Sequence, residues 1–189
     1  MLSPLPTSEA RKLRTELTRE LLSGSAEFSL GALARKGWIA VPVRDWITDE
    51  QATLIAAAAQ KVGVQIALSV TTSPKAEVEA NRVPLTEEGI LEFDANCKLR
   101  PFLLVSEGRE FAILHEGDYY YLIAGTPGFV EEAVEGSIED ARAAFETYAR
   151  AARWRKERQW LLELAERYAP GRDSLELQSH APPGSAPDE

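Results

Sequence analysis

Three apolar runs follow one another almost without interruption: Phe102–Ser106, Glu110–His115 and Tyr119–Ala124. Glu107-Gly108 breaks the first from the second, and Glu116-Gly117-Asp118 the second from the third. Runs this short are strand-length, and glycine-containing gaps between them reverse the chain. The segment predicts an antiparallel meander, and the rest of the chain has to be arranged around it.

Upstream, Trp38–Val43 and Val64–Thr71 read as two more strands with a helix between them. Thr48-Asp49-Glu50-Gln51 has the form of a capping box, and Gly63 is placed to stop the helix after Val62. A strand, helix and strand of this span fit a parallel, right-handed βαβ crossover. Pro42 has no backbone donor, which confines its strand to a sheet edge or ends it there. Residues 73–87 hold two prolines and no clear period and read as a long loop, with Gly89–Asp94 as a further short strand.

Helices flank this region. Thr7 or Ser8 can cap the first, on which Leu13, Leu17 and Leu21 recur every four residues and share a face. Ser29–Lys36 reads as a short helix closed by Gly37, and Phe129–Glu135 as another closed by Gly136. Ser137, with Asp140 three residues on, opens a long C-terminal helix reaching Tyr168. Its stripe of Ile138, Ala141, Phe145, Tyr148 and Ala152 falters at Lys156 and resumes at Trp160, Leu161, Leu164 and Tyr168, which leaves open a kink or a division into two helices. The fold class is therefore α+β: a mostly antiparallel sheet with one βαβ unit, N-terminal helices before it and a long C-terminal helix after it. Residues 1–6 read as a flexible arm, 7–169 as a single domain, and 170–189 as a disordered acidic tail with four prolines.

No stretch approaches the roughly 18 apolar residues that span a bilayer, which argues against membrane insertion. The N-terminus turns charged before a signal-peptide core forms. A single cysteine, Cys97, excludes an internal disulfide and a cysteine-based zinc site. These features point to a cytoplasmic protein. The net charge is -9 and unevenly spread: residues 37–136 carry -9 and residues 173–189 carry -4, while 1–36 and 137–172 are each +2. An acidic surface repels nucleic acid and anionic lipid and favours basic partners.

Candidate chemistry is sparse. His115 beside Glu116 and Asp118 has the composition of a proton shuttle or of part of a metal site, but no second His or Cys accompanies it. Cys97, near Lys98 and Arg100, is a candidate reactive thiol, with His115 as the base of a Cys–His pair. Glu92, Asp94 and Lys98 resemble a nuclease triad only loosely, and Gly125-Thr126-Pro127-Gly128 lacks the lysine and spacing of a phosphate loop. No cofactor, metal or catalytic set is assigned. The surface candidates are more definite. Tyr119 and Tyr121 alternate with Tyr120 along a strand, next to Glu116 and Asp118. Arg153, Arg155 and Lys156 lie with Arg150 and Arg158 in the densest basic run, around Trp154. Tyr, Trp and Arg are enriched where partners dock.

The reading that follows is a non-enzymatic acidic protein-binding module, of the kind an immunity-type inhibitor, a chaperone or a regulatory partner represents. One alternative is a nucleic-acid-associated regulator using the basic C-terminal segment. The other is a small enzyme centred on His115. A protein partner is expected, nucleic acid less so, and a homodimer would use the C-terminal helix.

Overall fold

The computed structural model describes residues 1–24, 27–44, 47–73, 77–97, 100–116 and 120–170. Among these residues seven strands build one sheet: β1 (Ser3–Pro4), β2 (Ile39–Arg44), β3 (Ile66–Thr71), β4 (Ala80–Pro84), β5 (Phe102–Ser106), β6 (Phe111–Glu116) and β7 (Tyr120–Gly125). Their order is β1-β4-β3-β5-β6-β7-β2, and every neighbouring pair is antiparallel. The fold is α+β, and the meander β5-β6-β7 forms the middle of the sheet.

The strand–helix–strand unit is present as β2, α3 (Asp49–Lys61) and β3. It is not a crossover between neighbours. Alternating directions make β2 and β3 run the same way, with β7, β6 and β5 between them. Two physical preferences account for this. The hairpins close locally at little entropic cost and occupy the centre. Pro42 sits opposite Leu122 on an outermost strand, where only one side needs donors.

Helices cover both faces. On one lie α1 (Thr7–Leu21), α2 (Leu30–Lys36), α6 (Ile138–Ala151) and α7 (Arg155–Arg167), which bury Leu17, Leu33, Phe145 and Leu161 against Leu103, Leu114, Tyr120 and Leu122. On the other lie α3, α4 (Glu87–Cys97) and α5 (Pro127–Ala133), which bury Ile55, Phe93 and Phe129 against Phe102, Leu104, Phe111 and Ile113. Double coverage explains why β5, β6 and β7 read as apolar runs rather than as an alternation. Helix α6 starts in the second core with Ile138 and ends in the first with Phe145 and Ala149. It thus wraps the β2 edge and shields it from pairing with another chain.

Local signals mostly hold. Ser29 and Thr48 cap α2 and α3, Gly37 closes α2 with φ +64°, and Ser137 and Asp140 form a complete capping box on α6. Three readings change, and the C-terminal stripe resolves into the two-helix alternative. Residues 1–6, expected as a flexible arm, carry β1, and Leu5 N–H donates to Ala80 at 2.9 Å. The loop 73–87 contains β4. Gly89–Asp94, expected as a strand, belongs to α4: Thr86 Oγ1 accepts from Gly89 N–H at 3.1 Å, and Ile90 and Phe93 are buried one turn apart. The long C-terminal helix is two helices, α6 and α7. Residues 171–189 of the expected tail lie outside the described residues. Among the described residues no helix is long and apolar enough to cross a membrane.

Candidate functional site

The break between α6 and α7 contains no proline or glycine, so its cause is packing. Ala149 is the last buried residue of α6 and Leu161 the first of α7. In one continuous helix, residues twelve apart would sit about 120° apart around the axis and face different surroundings. Opening the chain at Ala152 (ψ 131°) and Trp154 (ψ 134°) lets both bury against the same core. Arg158 fixes the elbow by donating Nε and Nη2 to the Ala152 carbonyl at 3.2 and 3.0 Å.

Trp154 stands at the point of this elbow, 65% exposed, the one exposed aromatic among the described residues. The Arg153 guanidinium lies 5.1 Å from its ring centroid. Arg155 and Lys156 are exposed in the first turn of α7. That position favours carboxylates, since the helix dipole is positive there, and Trp154 supplies no side-chain cap. Local stability is poorly served by cations at this end, and such violations concentrate at functional sites. Arg150 pairs with Glu146, and Arg158 is spent on the elbow. Arg153, Arg155 and Lys156 make no ion pair with the described residues.

The meander touches the same region. Trp160, six residues beyond Trp154, packs its ring 5.4 Å from that of Tyr120. Tyr120 lies opposite Glu116 across β6 and β7. Glu116 is half-buried, and burial pushes its carboxyl above the ordinary range. Thus Glu116 and the basic segment, far apart in sequence, are joined through Tyr120 and Trp160. Asp118 and Tyr119 lie outside the described residues.

Tyr121 does not reach the surface. It is buried on the face covered by α3, α4 and α5, where an exposed docking residue was expected, because helices cover both sides of β7. His115 is likewise away from the surface: it is buried, with its ring stacked on Phe102 at 4.7 Å. Adjacent strand residues point to opposite faces, so His115 and Glu116 diverge and form no acid–base pair. Cys97 is held protonated, because burial pushes its thiol up to about 12 against the opposing pull of Arg100. Glu92 and Asp94 sit on α4 rather than on a strand, and Glu92 meets the Met1 amino group at 3.2 Å. Lys98 lies outside the described residues. No group of three or more potential metal ligands occurs among the described residues. Thr126 caps α5 by accepting from Phe129 N–H at 3.3 Å, so 125–128 serve as a strand-to-helix turn.

Charge is segregated between the layers. Helices α3, α4 and α5 carry eight carboxylates and one lysine, and that lysine, Lys61, pairs with Glu132. The four helices opposite carry twelve cations and nine carboxylates. Half of the carboxylates of the acidic middle therefore lie on the helices of one face, and the elbow belongs to the other.

The density of cations around Trp154 is visible in the sequence, but their spread around a single helix would hide the cluster. The missed signal is the 120° phase slip between Ala149 and Leu161, which requires a break and collects the cations at it. No family model, no curated protein and no solved structure matches this chain.

Proposed function

We propose that the chain is a protein-binding module that docks its partner at the α6–α7 elbow with Trp154 as anchor. The observation that carries this reading is the exposure of Trp154 on backbone held in place by Arg158. An aromatic side chain on a fixed support loses little conformational freedom on binding and contributes large apolar area, the profile of an interface hot spot. The catalytic alternative loses Glu116 as a partner for His115, because the two diverge, while Asp118 lies outside the described residues. A nucleic-acid reading has the three cations in its favour, but the carboxylates that flank them on α6 and α7, Glu146, Glu157 and Glu163, oppose a long polyanion.

The test is affinity capture from native extract with wild type and with Trp154→Ala, each with and without nuclease. A stoichiometric, nuclease-resistant protein retained by wild type and lost by the variant is expected. Retention of the same proteins by both would remove the elbow from the function. Recovery that depends on nucleic acid would replace this reading with the nucleic-acid one.

A further inference from the structure

Resting on that reading, we infer that the partner presents a short acidic segment carrying an apolar side chain, with the carboxylates meeting Arg153, Arg155 and Lys156 and the apolar group covering Trp154. The three cations fall within four consecutive residues, and none has an ion pair among the described residues. The positive end of the α7 dipole adds to their field. Glu157, in the same turn, offsets part of the repulsion among them, and carboxylates delivered by a partner would relieve the rest. Exposed ion pairs are individually weak and are screened by salt, so they steer the encounter while burial of the indole holds the complex. The segment must also be short. Beyond the elbow, α6 and α7 expose carboxylates such as Glu139 and Glu163, which would repel a longer acidic run.

The experiment is fluorescence anisotropy of the full chain with three labelled probes of equal length. They are a glutamate-rich peptide with interspersed leucines, the same peptide with lysine for each glutamate, and an oligothymidylate. Variants are Trp154→Ala and the pair Arg155→Glu with Lys156→Glu, each checked for native circular dichroism. The glutamate peptide should bind wild type at low salt. Trp154→Ala should weaken it about tenfold or more, the size of a hot-spot loss. The charge reversal should abolish binding at low salt, and raising the salt should narrow its difference from wild type.

Absent binding of the glutamate peptide, or equal binding by all variants, overturns the inference. Tighter binding of the oligothymidylate with a steep salt dependence overturns it in favour of nucleic acid. Concentration-dependent self-association lost on charge reversal overturns it in favour of a second copy's acidic face. A partner captured from extract through Trp154, in a protein that ignores the glutamate peptide, sinks this inference and leaves the docking function standing. Peptide binding without Trp154-dependent capture does the reverse.

Discussion

The hydroxyl of Tyr168 engages both backbone groups of Phe28, accepting from its N–H at 2.9 Å and donating to its carbonyl at 3.3 Å. The two residues are 140 positions apart, and the contact ties the end of α7 to the turn between α1 and α2. That turn is itself closed by the Leu22–Phe28 bridge. Burial pushes the Tyr168 phenol well above its ordinary range, so it keeps its proton as donor. Tyr168→Phe leaves a buried N–H without an acceptor and should cost about 1–3 kcal/mol. Urea denaturation should show a lower midpoint with an unchanged slope. An unchanged midpoint would mean that water replaces the phenol.

Glu116 contributes a pH dependence of definite sign. Its carboxyl is raised by burial, so the folded state holds its proton over a range where the unfolded chain has lost it. Stability from this residue is fullest below the ordinary carboxylate range and falls as pH rises through the raised value. Glu116→Gln should therefore melt above wild type at neutral pH, and the gap should close on acidification. A gap that is constant with pH would contradict the assignment.

Two glycine-to-alanine changes in helices should have opposite signs. At Gly89 an added Cβ would stand 2.3 Å from the Pro84 carbonyl oxygen, which is backbone and cannot swing away. Gly89→Ala should destabilise by about 1–3 kcal/mol as α4 is pushed off β4. At Gly31 the nearest atom is the Arg35 guanidinium at 3.5 Å, an ordinary contact. Gly31→Ala should stabilise by about 0.5–1 kcal/mol through chain entropy. Thermal melts of both variants check the pair, and destabilisation at both sites would refute it.

Cys97 should be a slow thiol in the native state. With its pKa pushed up to about 12, little thiolate exists at mildly alkaline pH, whereas the unfolded chain has an ordinary thiol. Iodoacetamide labelling should accelerate at least about tenfold in denaturant. Native labelling as fast as unfolded would restore Cys97 as a candidate nucleophile.

Local signals in the sequence are read correctly where one residue decides the structure alone. Pro42 marks an edge strand, Gly37 and Ser137 mark helix ends, and the spaced glycines mark the meander. The reading fails where a decision rests on the partner. Ile90 and Phe93 fit a strand or a helix until Gly89 is seen lying against Pro84. The distance between β2 and β3 depends on which strands fill the sheet, and α3 alone carries no record of it. The burial of Tyr121 and His115 depends on α3, α4 and α5 covering the second face. The elbow lies between these cases, since the faltering stripe near Lys156 announces a break but not what the break gathers.

Trp154, at the N-cap of α7, is exposed, whereas Trp160, within α7, packs on Tyr120, so the two tryptophans should differ in what they contribute to stability. Trp160 is half-buried against Tyr120, and its removal opens the junction of α7 with β7. Trp160→Ala should cost about 1–3 kcal/mol. Trp154 caps nothing with its side chain, and the Arg153 guanidinium lies over its ring. Trp154→Ala should stay within about 0.5 kcal/mol of wild type, the usual range for an exposed position. Parallel urea titrations measure both. If the two losses were equal, Trp154 would be holding the elbow together, and any binding defect of its variant would report on folding rather than on contact. A neutral Trp154→Ala makes loss of binding attributable to the missing indole itself.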